Sequence, residues 1–411
     1  MPEDQKYWRY VLKKAETLLD YYGFERIDTS LLELSDLYLR AASQGVAIVE
    51  KEMFSLRIKP EENLSMKTDN RVSVARAYIE NGMTSKPHPV KLFYVSPVFR
   101  NQDVQPGIHR QFHQLGVETI GDNSEIIDAE LIFLAHKLLD NIGIDDYFVH
   151  INSVGDTSCK STYGRALRDY YKSKLKKLCL NCRNNYKTNT LRILACKTKE
   201  CQEINKEVPQ FVDYLSDDCR LHFKHVLEFL DETKVPYILN PLLIRNRDYY
   251  NRTVFEFMPE QNITDSLSLV AGGRYDKLVE TLGGAKTPAA GWSMGLDRVI
   301  SLLKERNINV PDSRSKPKIF LVQLGEMAKR KSLVLFDNFR KAGIDAKSSL
   351  GRDSIKSQLR IAHRLGVKFA LIYGQKEALD GTIILREMYT GIQETIPVEK
   401  ILDEIKKRLK N

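Results

Sequence analysis

The sequence predicts an α+β protein: an antiparallel sheet flanked by helices, carrying a helical insertion and followed by a separate C-terminal α/β domain. Three observations carry this expectation. Lys91–Val98 and Gln111–Ile120 read as paired strands, rich in β-branched and aromatic residues and separated by a polar loop with Pro106 and Gly107. Residues 160–240 turn Lys-rich and cysteine-bearing, and their apolar residues (Leu167, Tyr170, Tyr171, Leu175, Leu178) recur at helical spacing. Past the proline-bounded, small-residue stretch 311–317, strand and helix patterns alternate.

Along the chain, Trp8, Val11, Leu12, Ala15, Leu18, Leu19 and Tyr22 form one apolar helical face that Gly23 should stop. The two strands above follow. Thr253–Phe257 and Ser266–Ala271 read as further strands, and Gly272-Gly273 as a bend into a helix over Arg274–Leu282, where a positive helix end would favour anions. The expected domains are 1–310 with its insertion at 160–240, a linker at 311–317, and 318–411. In the last, strands at Lys318–Gln323, Asp345–Lys347 and Lys368–Tyr373 alternate with helices, before a hairpin and a final helix.

The chain has 411 residues, 42% hydrophobic and 28% charged, a globular composition that excludes collagen, rod and wholesale disorder. No apolar run approaches the roughly 18 residues of a membrane helix, and the polar opening Met1–Trp8 predicts no leader segment, so a cytoplasmic location is expected. Lys and Arg (63) exceed Asp and Glu (54), giving +9, which favours a polyanionic partner without establishing one. Six cysteines in such a chain do not suggest a disulfide framework. Cys179, Cys182, Cys196 and Cys201 follow C-x2-C-x13-C-x4-C, a zinc-compatible spacing, but the stretch between the pairs lacks a glycine knuckle, so buried free thiols and no bound metal are expected; Cys219 lies near His222.

Period-2 alternation puts Phe112, Gln114, Gly116 and Glu118 on one strand face, where the glycine could leave a floor for a small ligand between an amide and a carboxylate. Arg100 and Arg110 flank the mouth of the loop between the paired strands, and arginine forks suit phosphate. Arg245–Arg252 packs three arginines with Tyr249 and Tyr250, a pattern that can line a pocket for an anionic group. Ala290–Arg298 runs from a small-residue strand into a helix whose Arg298 could reach back into a cleft. Arg352, Lys356, Arg360 and Arg364 recur every four residues, a basic helical stripe that fits a phosphate backbone or a solvated face.

Taken together, these segments resemble the histidyl-tRNA synthetases, a class II aminoacyl-tRNA synthetase family, over nearly the whole chain. Val49-Glu50-Lys51-Glu52-Met53-Phe54, Phe99-Arg100 with Arg110 to Glu118, Arg245 with Asp248-Tyr249-Tyr250, Ala271 to Asp276, and Gly291 to Arg298 match its motifs in order. The resemblance implies a class II catalytic domain and, over 318–411, an anticodon-binding domain. It implies histidine activation by ATP with Mg²⁺, followed by transfer to tRNA(His), in a homodimer paired near Leu31, Leu32 and Leu34. By the same resemblance Asp69, Gln114, Glu118, Tyr249, Tyr250 and Tyr275 would hold histidine, with Glu118 accepting from the imidazole. Arg100, Arg245 and Arg298 would be catalytic; Arg100, Gln102, Arg110 and Arg298 would bind ATP; Gln105 and the basic stripe would bind tRNA. The chain departs from the family pattern L-R-P-E-G-T at Met66-Lys67-Thr68-Asp69-Asn70-Arg71, and again at Gln102, Ile108, Asn246 and Ser30. These departures leave a second reading, a weak or inactive paralogue with a binding or regulatory role like the ATP phosphoribosyltransferase regulatory subunit.

Overall fold

The computed structural model describes residues 1–42, 46–59, 62–105, 107–245, 249–260, 267–311, 316–351 and 353–410. The chain forms two compact units, Met1–Val310 and Pro311–Asn411. In chain order the strands of the first are β1 (Glu25–Arg26), β2 (Leu32–Leu34), β3 (Ser55–Lys59), β4 (Glu62–Met66), β5 (Val90–Phe99), β6 (Gln111–Ile120), β7 (Tyr147–Ser153), β8 (Tyr237–Leu239), β9 (Asn251–Pro259), β10 (Val270–Arg274) and β11 (Ala289–Gly295). β2, β4 and β3 make a small sheet; the other eight pair in the order β1-β5-β6-β11-β10-β9-β7-β8. The six central strands are antiparallel, and short β1 and β8 add to the two edges in parallel.

Alternation along each strand divides the main sheet into two faces. Leu115 and Val117 of β6, Trp292 and Met294 of β11, and Phe255 and Phe257 of β9 join one core with the helices Gln5–Tyr21, Glu125–Ile142, Asp217–Glu232 and Leu296–Glu305. A one-residue slip of β6 would expel Leu115 and Val117, each worth about 1.5–3 kcal/mol of burial, onto the opposite face, so the register is held firmly. The first helix buries Val11, Ala15 and Leu19 at four-residue spacing and ends before Gly23, whose φ of 77° ordinary residues avoid.

The opposite face carries few bulky side chains. Register sets Gln114 opposite Gly295, Gly116 opposite Ser293 and Glu118 opposite Gly291. Gly272 and Gly273 do not turn into a helix as the sequence suggested. They lie within β10, between β9 and β11, and the helix that follows is only Leu278–Thr281. Close approach of neighbours demands the glycine: a Cβ on Gly272 would lie 2.6 Å from Trp292 Cβ and 2.7 Å from Phe255 Cζ. Of the strand expected over Ser266–Ala271, Ser266 lies outside the described residues.

Between β7 and β8 the chain is helical, with Thr157–Lys172, Leu180–Thr188, Lys199–Asn205 and Asp217–Glu232 joined by 3-10 turns. Asp156 caps the first of these through the amides of Ser158 (2.8 Å) and Cys159 (2.9 Å). The span expected to be wholly helical ends instead in β8, which pairs with β7.

The second unit is a five-stranded sheet of β12 (Ile319–Gln323), β13 (Ala346–Ser348), β14 (Phe369–Tyr373), β15 (Thr382–Glu387) and β16 (Gln393–Pro397), ordered β13-β12-β14-β15-β16. The first three are parallel and the last two antiparallel. β12 and β14 are buried throughout: Ile319, Leu321, Phe369 and Leu371 pack with Leu335, Phe339 and Ile401, while Phe320, Val322 and Ala370 pack with Ala362. Among the described residues, no helix is long and apolar enough to cross a membrane.

Candidate functional site

The sparsely covered face of the main sheet floors a cavity of about 460 Å³. Eight of the residues expected to bind substrate line it: Asp69, Arg100, Gln102, Gln114, Arg245, Tyr249, Tyr250 and Arg298. Four elements deliver four of them, while Gln102 comes from the loop after β5, and Arg245, Tyr249 and Tyr250 from the segment between β8 and β9. β6 supplies Gln114; the end of β5 supplies Arg100; the helix after β11 supplies Arg298; the start of Asn70–Glu80 supplies Asp69 as its N-cap, accepting from the Arg71 amide at 3.0 Å. Each is oriented by a further contact. Arg100 Nε donates to the Thr68 carbonyl (3.2 Å) and its guanidinium lies 5.3 Å from the Phe112 ring centre. Arg298 donates to the carbonyls of Ser268 (3.0 Å) and Gly107 (3.3 Å), and Arg245 is ion-paired with Glu256. Asn70 Nδ2 donates to Gln114 Oε1 at 3.2 Å, and the Tyr249 hydroxyl to Asp69 at 2.6 Å.

Glu118 lies beneath the cavity, wholly buried. Its carboxylate accepts from Tyr94 (3.0 Å), Tyr275 and Arg71 Nε (3.1 Å). Burial pushes its pKa up to about 7, against the pull of Arg71, Tyr275 and Tyr94 in the other direction. Gly116 does not leave open floor for a ligand, because the Tyr94 ring of β5 fills the space where its Cβ would be. Gly291 is bare for a similar reason, since a side chain there would collide with the Glu118 carboxylate and with the Val117 carbonyl oxygen.

Other expectations divide. Arg110 and Gln105 are exposed and do not line the cavity; Arg110 instead reaches the Gln102 carbonyl at 3.4 Å, while Gln105 bridges to Ile108 within the loop. Asn246, Asp248 and Arg352 lie outside the described residues. Lys356, Arg360 and Arg364 are exposed on the helix Ile355–Leu365. Cys179, Cys182, Cys196 and Cys201 come together, their sulfurs all within 4.8 Å of one another, whereas His222 pairs with Asp128 (2.8 Å) rather than with Cys219.

The sequence reading missed Arg71. The residue is 4% exposed, and besides Glu118 its side chain donates to the hydroxyls of Tyr250 and, at 3.3 Å, Tyr249. A second omission is Glu256, the partner that neutralises Arg245. The only signal for Arg71 was its place beside Asp69 in a segment that departs from the family.

A model of the histidyl-tRNA synthetases matches residues 1–299, and one of an anticodon binding domain matches 318–408. The chain belongs to the histidyl-tRNA synthetase family. A histidine–tRNA ligase of Dehalococcoides mccartyi is 39% identical over 409 residues, covering 100% of this chain and 97% of that one. That of Desulforamulus reducens is 36% identical, covering 99% and 97%. Among solved structures, apo histidyl-tRNA synthetase from S. aureus superposes with a TM-score of 0.79 at 29% identity, covering 98% of this chain and 96% of that one. Beside Glu118 this member of the family carries Arg71, at the position of the threonine that ends L-R-P-E-G-T.

A second cavity of about 720 Å³ shares Ile244, Arg245, Tyr249 and Tyr250 with the first. Lys160, Arg168, Arg192, Arg252, Lys277 and Lys286 line it, against the carboxylates of Asp156 and Asp276.

Proposed function

We propose that the protein is a histidine–tRNA ligase, which condenses histidine with ATP to histidyl-adenylate and pyrophosphate and then transfers the histidyl group to the terminal adenosine of tRNA(His). The observation that carries this is the convergence of Arg100, Arg245 and Arg298 with Asp69, Gln114, Tyr249 and Tyr250 on one cavity. Activation is an in-line attack by a histidine carboxylate oxygen on the α-phosphorus. Negative charge grows on the phosphoryl oxygens, and the chain's task is to hold cations where it grows. Arg298 and Arg100 suit this because carbonyl acceptors already orient them, so little reorganisation is needed as the barrier is crossed. Asp69 faces the ammonium, Gln114 holds the amino-acid end, and Glu118 with Tyr250 and Tyr275 lies at the imidazole end.

Mg²⁺ takes oxygen donors and binds largely through substrate phosphates, with one or two carboxylates. Glu256 and Asp297 line the cavity and fit that donor set, although Glu256 also holds Arg245 and Asp297 accepts from the His113 amide at 2.6 Å. The ion would supply charge neutralisation on the departing pyrophosphate. The basic second cavity would receive the acceptor end of the tRNA, and the exposed stripe Lys356, Arg360 and Arg364, with Arg352, would take its anticodon stem. The small sheet exposes Leu32, Leu34, Leu56 and Ile58, each more than 40% accessible, and supports a homodimer through that face. We place the protein in the cytoplasm, with its tRNA substrate.

The test is ATP–pyrophosphate exchange with each of the 20 amino acids, followed by charging of tRNA(His). Exchange driven by histidine alone, with histidyl-tRNA formed, is the expected result. No histidine-driven exchange would sink the proposal.

A further inference from the structure

We propose that Cys179, Cys182, Cys196 and Cys201 bind one zinc ion. Tetrahedral coordination with Zn–S bonds of about 2.3 Å separates the sulfurs by about 3.8 Å. The Cys179 and Cys196 sulfurs are 3.8 Å apart and all four lie within 4.8 Å of one another, a separation for a single ion. Backbone amides already point at the sulfurs: that of Cys179 donates to Cys201 Sγ (3.3 Å) and that of Cys182 to Cys179 Sγ (3.5 Å). Such N–H···S contacts hold thiolates in place. Lys197 and Lys199 flank the ligands in sequence and offset the excess negative charge of four thiolates around a divalent ion.

The ion would tie the start of Leu180–Thr188 to the turn before Lys199–Asn205 and, through Cys201, to that helix itself. Its reach extends to the active site. Cys196 stands between Ala195 and Lys197, and both of those line the smaller cavity. The ion thereby fixes one wall of the site.

Metal analysis of the purified full chain should find about one zinc per chain. Cobalt(II) in its place should give the intense visible bands of a tetrahedral thiolate site, and Cys196→Ser should abolish both. Under a tenth of an equivalent of zinc with no cobalt spectrum, or iron in place of zinc, would overturn the proposal. Full zinc content in Cys196→Ser and in Cys182→Ser would overturn it as well. The parent protein alone decides the first two outcomes, so a variant that fails to fold does not spare it.

A second inference stands on different residues and rests on the histidine–tRNA ligase reading. The structure assigns Arg71 as an internal occupant of the amino-acid site: its guanidinium fills the seat of the histidine imidazole, and the substrate enters by displacing it. Both groups are flat and donate N–H bonds in their plane, so they call on the same acceptors. Arg71 bridges Glu118 and Tyr250, and its guanidinium lies 5.4 and 5.3 Å from the ring centres of Tyr250 and Tyr275. The seat is incompletely matched to it, since Nη2 is buried without a hydrogen-bond partner among the described residues.

Arg71→Thr, studied by calorimetry beside the parent, should bind histidine at least tenfold more tightly while its affinity for ATP changes less than twofold. Equal or weaker histidine binding by the variant would overturn the inference and leave the ligase reading intact. Binding by neither protein would overturn both. Because the variant strips Glu118 of its cation and so threatens folding, a crystal structure of the parent with histidine provides a second test. Arg71 withdrawn from Glu118 is expected there; Arg71 unmoved beside bound histidine would overturn the assignment.

Discussion

A carboxyl group taken out of water holds its proton more tightly, and Glu118 shows this with a pKa pushed up to about 7 from an unfolded value near 4.5. The folded protein therefore binds a proton there that the unfolded chain has already lost. Stability from this group is complete below about 4.5 and falls as pH rises to about 7, at up to about 1.4 kcal/mol per pH unit. Glu118→Gln removes that dependence. The difference in melting temperature, parent minus variant, should shrink between pH 5 and pH 8, and a difference that widens with pH would show the Arg71 pair to dominate instead. On the proposed reading Arg298 presents the opposite case, a cation on the cavity wall that would meet charge developing during reaction. Arg298→Ala should slow histidine-dependent pyrophosphate exchange about 10²–10³-fold while leaving histidine binding nearly unchanged.

Among the elements, β5 and β6 were legible in the sequence because alternation and β-branched residues mark a sheet whose faces differ. The basic helix Ile355–Leu365 was legible from its four-residue recurrence. The role of Gly272 and Gly273 was not, because a glycine needed for close packing between strands looks the same in sequence as one needed for a turn. Arg71 was missed for a related reason. It sits in the first turn of Asn70–Glu80, and only the docking of that helix against β6 decides that its side chain meets Glu118. Two measurements act at this scale. Gly116→Ala should cost about 1–3 kcal/mol of stability by urea unfolding, since the added methyl must displace the Tyr94 ring. Lys356→Ala with Arg360→Ala should lower tRNA affinity and reduce its log–log salt slope by about 0.7–0.9 for each lost phosphate contact, with tRNA-independent exchange unchanged. An unaltered salt slope would mark the stripe as an ordinary solvated face.

At the scale of the whole molecule, each of the two units has its own core, so separate tasks can be altered separately. In the proposed homodimer the exposed leucines of the small sheet would be the contact face. Light scattering at micromolar concentration should give the mass of a dimer, and Leu34→Glu with Ile58→Glu should shift it toward the monomer. The pairing of Glu118 with Gly291 reaches beyond any one molecule, into the history a lineage can follow. A side chain at 291 would meet the Val117 carbonyl oxygen at 2.3 Å as well as the Glu118 carboxylate, so surrender of 118 does not open 291, whereas 118 can change with 291 still bare. The freedom of the two positions is thus unequal, and descendants with a refitted pocket should include chains altered at 118 that keep glycine at 291, but none altered at 291 alone.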